Sequence, residues 1–394
     1  MAEEIGVGIV GTGFMGAAHA MAFRSAPFVF DTALRPRLEV VADINREAAE
    51  GAAARYGFAR AVGSWQELVD DPRVEIVSIT TPNVLHSAVA IAAIDAGKHV
   101  YCEKPLAADW AGAKAMAEAA GRSDAKTLVG YNYLRSPAAA YARTLIEQGA
   151  IGDPVYFRGV YDEDYMADAA TPFSWRCRAD VAGFGALGDL ASHLVAAAEQ
   201  MMGPIVSLAA DLRTLIAERP VPAAGDAMEK RTGEVPIAAD MPKRRVENED
   251  TAQALVAFQS GAMGSLTSSR AHWGRKNHLA FEIFGSEGSI LYDQEAMNEL
   301  QLFRRNAAEA PQSGYSRILI GPEHPFYGRF TPARGSGLGY NDLKVIEVAH
   351  LIEGIAGRET LFPTIADALK IERVLHAIAR AATEKRWVEV AEIA

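Results

Sequence analysis

The stretch Ile5-Gly6-Val7-Gly8-Ile9-Val10-Gly11-Thr12-Gly13-Phe14-Met15-Gly16 stands at the start of the chain and decides the fold. Its first half, Ile5–Val10, is a short apolar run that predicts a buried strand. The glycines that follow fit the pattern G-x-G-x-x-G, and the Ala-rich segment Met15–Ser25 that comes next is typical of a helix. This strand–turn–helix context indicates a phosphate-binding turn rather than an ordinary glycine-rich loop.

The glycine-rich turn predicts binding of a dinucleotide. Gly11 permits the tight turn, Gly13 lets the backbone approach a pyrophosphate, and Gly16 lets the helix pack closely on the strand. The N-terminus of the helix also offers N–H groups and the positive end of a dipole to the phosphates. We therefore predict that Gly11, Thr12, Gly13, Phe14 and Met15 bind the cofactor.

Strand-like and helix-like segments alternate through the first third of the chain. The predicted strands are Ile5–Val10, Arg37–Asp43, Val74–Ile79, His99–Cys102 and Lys126–Val129. The predicted helices are Met15–Ser25, Arg46–Tyr56, a short one from the cap Ser64 to Val69, Leu85–Ala96 and Asp109–Gly121. This alternation implies parallel strands joined by helical crossovers, so we predict an α/β fold with a doubly wound Rossmann sheet over residues 1–131.

The pattern changes after about residue 150 to consecutive strands with few helices, which predicts a second α/β domain, residues 132–394, with an open, mostly antiparallel sheet. Its predicted strands are Val155–Asp162, Val206–Thr214, Thr251–Gln259, Ala262–Arg270, Leu279–Phe284 and Ser289–Tyr292. Its predicted helices are Tyr141–Gln148, Gly188–Met202, Asn341–Gly357 and Thr364–Glu384. The Pro-, Ala- and charge-rich segment Ala217–Asn248 reads as a long surface loop.

Composition excludes several classes of function. The 394 residues carry a formal net charge of −11, which argues against a nucleic-acid partner. The two cysteines, Cys102 and Cys177, and nine scattered histidines give no metal-ligand cluster, so no metal is expected, although one disulfide stays open. The N-terminus does not resemble a signal peptide and no run of about 18 apolar residues occurs. We expect a cytoplasmic protein without a membrane partner.

Asp43 ends the second predicted strand and favours NAD over NADP, because a carboxylate there accepts hydrogen bonds from the ribose hydroxyls and repels a 2′-phosphate. It follows Gly16 by 27 residues, a longer interval than the usual one of about 20. We attribute the excess to a loop insertion around Pro27–Pro36. Arg46 could still tolerate a phosphate.

Two further motifs follow predicted parallel strands, where ligand groups cluster. Thr81-Pro82-Asn83 comes after the third strand and is expected to face the cofactor. His86, just inside the next helix, either packs locally or contacts the cofactor. Glu103-Lys104-Pro105 ends the fourth strand, and the Lys104 ammonium can stabilise a developing alkoxide on a substrate. A plain surface lysine is the alternative.

Asp189 and His193 stand four residues apart in Gly188-Asp189-Leu190-Ala191-Ser192-His193, so they share one face of a helix. The imidazole suits a general base for a hydroxyl proton, because it titrates near neutrality. Asp189 could orient it or hold a substrate. A capping aspartate and an ordinary core histidine are the alternative for this pair taken alone. No serine nucleophile elbow is present.

Together these motifs resemble the Gfo/Idh/MocA family, the glucose–fructose oxidoreductases, inositol dehydrogenases and rhizopine-catabolism proteins. The stretches that match in order and approximate separation are Gly11–Gly16, Thr81–Asn83, Glu103–Pro105 and Gly188–His193. Within the family, the chain resembles levoglucosan dehydrogenase and related pyranoside dehydrogenases most. The stretches that carry this resemblance are Trp175-Arg176, Gly185–Asp189, His324-Pro325 and Gly337–Tyr340. The segment Tyr161–Asp164 is more acidic than that subgroup leads one to expect.

The resemblance implies catalysis by Lys104, Asp189 and His193 in a site between the two domains, and a homo-oligomer, a dimer or tetramer, formed through the C-terminal sheet. The expected reaction moves a hydride between NAD and a ring hydroxyl or ketone of a sugar, anhydrosugar or cyclic polyol. Besides the turn residues, the candidate cofactor contacts are Asp43, Thr81, Pro82, Asn83, His86, Glu103, Lys104, Asn132, Trp175, Arg176 and Tyr340. The candidate substrate contacts are Lys104, Tyr133, Arg135, Tyr161, Glu163, Trp175, Arg176, Asp189 and His193.

Two other functions stay open at this point. The same architecture can hold NAD tightly and cleave a glycosidic bond through transient oxidation. It can also serve as an NAD-binding sensor without turnover. Release of reduced cofactor in proportion to product distinguishes a dehydrogenase from both.

Overall fold

The chain alternates strand and helix from Glu3 onward, as the sequence predicts, and the computed structural model describes residues 3–222, 241–305 and 313–394. The strands of the first sheet are β1 (Glu3–Val10), β2 (Leu34–Ala42), β3 (Arg60–Val62), β4 (Ile76–Ile79), β5 (His99–Cys102) and β6 (Thr127–Val129). The helices between them are α1 (Phe14–Phe30), α2 (Arg46–Tyr56), α3 (Trp65–Val69), α4 (His86–Asp95) and α5 (Trp110–Gly121). The six strands run parallel in the order β3-β2-β1-β4-β5-β6, which confirms the doubly wound Rossmann sheet.

Local capping explains why these helices begin and end where they do. The side chain of Asn45 accepts a hydrogen bond from the Ala48 N–H at the start of α2, and Gly57, at a φ of 77°, ends that helix. The side chain of Ser64 caps α3 as predicted, and Asp109 caps α5. Asp109 is therefore the residue before α5 rather than its first residue.

The predicted loop insertion around Pro27–Pro36 is wrong. Helix α1 continues through Pro27 to Phe30, and β2 already begins at Leu34, with Pro36 paired to Ile5 of β1. The long interval between Gly16 and Asp43 is therefore made of helix and strand. The two prolines obscured this in the sequence, although proline is tolerated where its missing N–H is not needed for pairing.

The chain forms two compact units, Met1–Arg135 with Gly339–Lys370, and Ser136–Leu338 with Ile371–Ala394. The first unit takes in α10 (Tyr340–Ile355), which packs against α1 and buries Leu343, Val348 and Leu351 among others. The sequence did not predict that the chain returns to the first unit at α10. The apolar face of α10 shows that this face is buried, but not which element it packs against. The predicted boundary between residues 131 and 132 stays a prediction.

The second unit is built on a nine-stranded sheet. Its strands are β7 (Pro154–Asp162), β8 (Ile205–Arg213), β11 (Thr251–Phe258), β12 (Met263–Ser269), β13 (His278–Gly285), β14 (Gly288–Asp293), β15 (Glu299–Arg304), β16 (Ser316–Leu319) and β17 (Val388–Glu389). Its helices include α6 (Pro137–Glu147), α7 (Ala179–Ala182), α8 (Ser192–Met202) and α9 (Tyr327–Phe330), with α11 (Ile365–Glu384) near the C-terminus. The order is β16-β15-β14-β13-β7-β12-β11-β8-β17. Of the neighbouring pairs, β7 and β12 are parallel and the others antiparallel, which confirms the predicted mostly antiparallel sheet.

Short turns complete the description. The 3-10 turns are Asn83–Leu85, Asn132–Arg135, Trp175–Cys177, Gln294–Ala296 and Val390–Glu392, and Leu187–Ala191 is a π-helical turn. The predicted surface loop Ala217–Asn248 is partly wrong, because its ends pair as β9 (Glu218–Pro220) and β10 (Lys243–Arg245). Its middle, residues 223–240, lies outside the described residues. Strands β3, β15, β16 and β17 were not predicted. Both cysteines are buried and free.

One helical stretch among the described residues, Ala179–Met202, is long and apolar enough to cross a membrane. However, 78% of its most apolar window is buried inside the protein. A mostly buried stretch of this kind is typical of a core helix. The sequence showed no apolar run of that length, because Asp180, Asp189 and His193 interrupt it.

Candidate functional site

The glycine-rich turn has the geometry that close approach of a phosphate requires. Gly11 adopts a φ of 101°, and a Cβ atom there would lie 2.8 Å from the carbonyl oxygen of Thr80. A Cβ atom on Gly16 would lie 2.1 Å from the carbonyl oxygen of Gly11. Gly13 is the N-cap of α1 and brings no side chain to its first N–H groups, and Gly13 and Phe14 are exposed. The start of α1 therefore lies at the surface of the first unit, where a phosphate can approach the backbone.

Asp43 is fixed beside this turn by three hydrogen bonds. Its Oδ2 accepts from the backbone N–H of Thr12 at 3.0 Å and from the Thr12 hydroxyl at 2.6 Å. Its Oδ1 accepts from the backbone N–H of Asn45 at 2.9 Å. The half-buried carboxylate keeps acceptor capacity for further donors. Thr12 thus ties the phosphate turn to the residue predicted to select the ribose.

Two buried polar atoms have no hydrogen-bond partner among the described residues. They are the hydroxyl oxygen of Thr81, in the turn after β4, and the side-chain nitrogen of Asn132, just after β6. Both residues were predicted to contact the cofactor. A buried hydroxyl or amide without a partner is costly, so a bound polar group would stabilise both.

His86 differs from its predicted role as a cofactor contact. Its ring is fully buried, with Nε2 3.0 Å from the carbonyl oxygen of Thr81 and Nδ1 2.9 Å from that of Pro105. Burial lowers the pKa of His86, which favours the neutral ring. The neutral ring has a single N–H, so it donates to one of these two carbonyl oxygens, and both of its nitrogens face backbone rather than a ligand.

Glu103 also points inward, because its carboxylate lies inside the first unit. Its Oε1 is 2.8 Å from His19 Nε2 and 2.5 Å from Lys344 Nζ. Burial alone would raise the pKa of Glu103, but Lys344 and the His19 hydrogen bond lower it well below its usual range. A side-chain contact between Glu103 and the cofactor, as predicted, does not fit this orientation. Lys104, the next residue, is half-buried at the end of β5.

Tyr340 belongs to the first unit and lies beside the phosphate turn. Its ring centroid is 5.7 Å from that of Phe14 and 6.1 Å from that of Tyr133, and its hydroxyl is 3.3 Å from Met15 Sδ. The structure thereby brings together four predicted ligand-binding residues. Arg135 instead donates a hydrogen bond to the carbonyl oxygen of Phe362.

In the second unit, the π-helical turn Leu187–Ala191 carries Asp189, and His193 follows in the first turn of α8. The buried Glu249 holds the start of this turn, because its Oε1 accepts from the Leu187 N–H at 2.8 Å. A Cβ atom on Gly185 would lie 2.0 Å from the Glu249 carbonyl oxygen, so only glycine fits there. π-turns are frequent at functional sites.

Tyr165 was not predicted as a site residue, and it contacts Asp189 directly. Its hydroxyl donates to Asp189 Oδ2 at 2.7 Å. Burial, and then the negative charge of Asp189, raises the pKa of Tyr165 well above its ordinary value, so the hydroxyl stays protonated. The only sequence signal was an aromatic residue shortly after a strand, which is too common to single out.

Tyr161 and Glu163 lie together near His193. The ring of Tyr161 is 6.0 Å from that of His193, edge to face. Its hydroxyl is 2.9 Å from Glu163 Oε1 and 2.9 Å from Asn277 Oδ1. Asn277 was not predicted. This group of residues offers the hydroxyl, carboxylate and amide that bind alcohols.

The unusually acidic segment has a structural explanation. Asp162 Oδ2 lies 3.0 Å from His272 Nδ1, and Asp164 Oδ2 lies 2.5 Å from Lys276 Nζ. These two carboxylates fasten the loop after β12, and Glu163 between them turns toward Tyr161 instead. The acidic run therefore does not by itself indicate a cationic substrate.

Trp175 and Arg176 form a stacked pair in the second unit. The Arg176 guanidinium lies 4.6 Å from the centroid of the Trp175 ring. The carbonyl oxygen of Arg176 accepts from Arg270 Nη1 at 3.1 Å and from Asn248 Nδ2 at 2.9 Å. The buried Arg270 thus fixes the backbone of this turn, while both side chains of the pair stay half-buried.

One group of side chains in the described residues could hold a metal ion, namely His278, Asp293 and Glu295. Glu295, however, already accepts from Arg275 Nη1 at 2.9 Å and from the Lys276 N–H at 2.8 Å. An ion there would have to compete with a guanidinium. We assign no metal to it.

Comparison with known proteins accounts for these motifs. Residues 5–131 match the oxidoreductase family with an NAD-binding Rossmann fold, and residues 139–291 match the GFO/IDH/MocA C-terminal domain. Levoglucosan dehydrogenase from Pseudarthrobacter phenanthrenivorans is 38% identical to this chain, over 99% of both chains. The chain belongs to the Gfo/Idh/MocA family. The resemblance inferred from the motifs is confirmed, and this member of the family is an oxidoreductase with an NAD-binding domain.

Other relatives support the same assignment. The solved structure of levoglucosan dehydrogenase in complex with NADH and levoglucosan is 36% identical, covers 98% of this chain and 99% of that one, and has a TM-score of 0.91. Myo-inositol 2-dehydrogenase from Thermotoga maritima is 28% identical over 73% of this chain and 75% of that protein. The family member described here therefore shares its fold with a levoglucosan dehydrogenase whose solved structure contains NADH.

Proposed function

We propose that this chain transfers a hydride between NAD and a ring hydroxyl or ketone of a sugar, an anhydrosugar or a cyclic polyol. The observation that carries the proposal is the group of His193, Tyr161 and Glu163 in the second unit, with Asp189 four residues before His193, which combines a general base with donors and acceptors for hydroxyls. The levoglucosan and inositol dehydrogenases among its relatives act on substrates of this class.

The first unit fits NAD. The exposed backbone of Gly13 and Phe14 at the start of α1 suits the diphosphate, and Asp43 suits the ribose hydroxyls. Thr81 and Asn132 each offer a buried polar atom in need of a partner. When bound, NAD supplies the hydride acceptor. We also assign to cofactor binding the predicted residues Pro82, Asn83, Tyr340, Trp175 and Arg176.

Three side chains carry the chemistry in this proposal. His193 takes the proton of the substrate hydroxyl as a general base. Lys104 donates a charge-assisted hydrogen bond to the same oxygen and stabilises the negative charge that develops on it. Asp189 orients the substrate, and its own position is set by Tyr165.

Substrate recognition follows from the chemistry of a polyhydroxylated ring. Tyr161, Glu163 and Asn277 present acceptors and a donor to hydroxyls, and aromatic faces such as Trp175 and Tyr133 suit the C–H surface of a sugar. Arg176 adds a charged donor. Which ring and which carbon react is left to experiment.

We further propose a cytoplasmic homo-oligomer, a dimer or tetramer, formed through the outer face of the nine-stranded sheet. Leu255 on β11 and Met263 on β12 lie on this face and are 52% and 51% exposed. Large apolar side chains exposed on neighbouring strands favour contact with another copy. Light scattering of the purified protein measures the assembly directly.

The test of the proposed function is the absorbance of reduced nicotinamide. Purified protein is mixed with NAD or NADP and with inositols, free sugars, glycosides and anhydrosugars. We expect a signal with NAD and one of these substrate classes, in proportion to product. A signal with NADP alone contradicts the role given to Asp43. Glycoside cleavage without net reduced cofactor supports transient oxidation instead, and binding of NADH without any turnover supports a sensor.

Replacing Tyr165 by Phe is expected to lower kcat roughly tenfold, because Asp189 loses a hydrogen bond that is worth about 1.5–3 kcal/mol to a charged group. KM for NAD should stay within about twofold, since the hydroxyl of Tyr165 donates to Asp189, a residue assigned to the substrate. Steady-state kinetics against both substrates measure the split. Tyr156→Phe, on a half-buried tyrosine of β7, is the matched control. Equal kinetics for the two variants would refute the role given to Tyr165.

A further inference from the structure

A buried lysine on α10 reaches the strand end that carries Lys104. Lys344 is fully buried (0% exposed), and its ammonium nitrogen lies 2.5 Å from Glu103 Oε1, 2.9 Å from Glu347 Oε2 and 3.3 Å from the Tyr101 hydroxyl. Buried lysines are rare unless paired. All of these residues belong to the first unit, and no motif in the sequence marked Lys344.

The group of residues around Lys344, here called the Lys344 cluster, contains His19, Ser78, Tyr101, Glu103, Lys344 and Glu347. His19 bridges Glu103 and Ser78, with its Nδ1 2.8 Å from Ser78 Oγ, and stacks on Tyr101 with ring centroids 4.3 Å apart. Tyr101 in turn donates to Glu347 Oε2 at 2.5 Å. Strands β4 and β5 and helices α1 and α10 thus meet in one hydrogen-bonded group.

The ammonium group of Lys344 contacts two buried carboxyl groups, those of Glu103 and Glu347. Burial alone would lower the pKa of Lys344, but Glu103 and Glu347 raise it, so the ammonium form persists. Burial raises the pKa of Glu347 and lowers that of His19, which favours the neutral form of each. The remaining charge pair is Lys344 with Glu103. Removing one partner of a buried pair leaves the other uncompensated.

The position of Glu103 is tightly constrained. Its backbone N–H donates to the Ile79 carbonyl oxygen at 2.9 Å, and a Cβ atom on Gly130 would lie 2.6 Å from its Oε1. The adjoining peptide carries Lys104. One helical turn before Lys344, Tyr340 packs on Phe14 in the phosphate turn. Helix α10 therefore contacts both the phosphate turn and the end of β5.

We propose that Lys344 is a positioning residue for the reaction, whose ammonium holds Glu103 and thereby fixes the backbone that carries Lys104. This inference rests on the proposed function. Lys344 contacts neither substrate nor cofactor in it. Its effect passes through the backbone of residues 103 and 104, where a misplacement of about 1 Å is enough to slow a reaction roughly 100-fold.

Lys344→Met is expected to lower kcat roughly 10- to 100-fold with KM for the sugar nearly unchanged. The loss should grow as the pH rises. Burial lowers the pKa of His19 and Lys344 lowers it further, so removal of Lys344 is expected to raise that pKa while the hydrogen bond to Glu103 remains. Protonated His19 then replaces the missing cation at low pH, and this compensation is lost as the pH rises through the raised pKa.

Two companion variants separate positioning from general stability. Lys344→Met combined with Glu103→Gln removes both charges and is expected to recover most of the lost kcat and to abolish the added pH dependence. Lys98→Met removes another buried lysine of the same unit, whose ammonium bonds the Asp71 and Val74 carbonyl oxygens. It should lower the melting temperature without the pH-dependent loss of kcat.

A readout independent of turnover distinguishes failure of this inference from failure of the proposed function. In Lys344→Met, amide hydrogen exchange over residues 103–106 should quicken, and NMR titration should show a raised pKa for His19. If these changes occur while the wild-type protein lacks dehydrogenase activity, the proposed function fails and the structural effect stands. If the wild-type protein is active and Lys344→Met keeps its kcat within about twofold, or loses it equally at every pH, the positioning role is refuted.

Discussion

Replacing His193 by Asn is expected to lower kcat by roughly 10²- to 10⁴-fold, the usual contribution of a general base. The imidazole is 4% exposed and lies edge-on to Tyr161, so the change removes the base from a site that admits little water to replace it. Asn keeps much of the volume and the polarity of His, which limits damage to α8. Affinity for NADH, measured by fluorescence titration, should stay within about threefold, because no cofactor contact is assigned to His193.

A matched control is available in the same unit. His324 is also buried, and its Nδ1 accepts from the Gly321 N–H at 2.9 Å. His324→Asn should therefore affect thermal stability more than kcat. Comparable kcat losses in both variants would indicate general disturbance of the unit, and full activity of His193→Asn would remove this residue from the mechanism.

The pH profile gives a second measurement on the same variant. Only the neutral form of a histidine side chain accepts a proton, so a histidine that acts as a general base is inactive once it is protonated. Oxidation by the wild-type protein should therefore decline as the medium becomes acidic. The residual activity of His193→Asn should lack that acidic limb. An unchanged limb would assign it to another group.

Local sequence patterns were sufficient for the parts of the fold whose cause is local. The strand before Gly11, the cap at Ser64 and the stop at Gly57 each depend on residues within a few positions of one another. The Rossmann sheet followed from the alternation of such elements. Pro27 shows the limit, because a residue that usually breaks helices lies inside α1.

The orientation of side chains depended on residues distant in sequence and was predicted less well. Glu103 turns inward because Lys344, which lies 241 residues away, offers it a buried cation. His86 was left open between packing and ligand contact, and two carbonyl groups on separate turns decide for packing. A role for Tyr165 could be inferred only from the structure, which places its hydroxyl beside Asp189. Sequence motifs identified which segments matter more readily than which atoms face a ligand.

The return of the chain through α10 has the same origin. An amphipathic helix shows which of its faces is buried, but the partner of that face is set by the tertiary structure. Tyr340 was predicted to contact the cofactor as part of the second domain, residues 132–394, and the structure places it in the first unit beside Phe14. A motif near the C-terminus of the chain can thus belong to the N-terminal fold.

Replacing Lys104 by Met is expected to lower kcat roughly 10²- to 10³-fold, the cost of losing one donor to a developing oxyanion. Met preserves the length and apolar stem of the side chain and removes only the ammonium group. KM for NAD should change less than about threefold if the lysine acts mainly on the reacting oxygen. Steady-state kinetics and NADH fluorescence titration measure the two effects separately.

The Lys104 and His193 variants also test each other, because both groups are assigned to one substrate oxygen. Groups that act as a unit show strongly non-additive effects, so the double variant should lose little more than the worse single variant. Lys126→Met, an exposed lysine of the first unit, should keep full activity as the control. Additive losses in the double variant would mean that Lys104 and His193 act in separate steps. The assignment of both residues to one substrate oxygen would then be wrong, even if each residue proved essential.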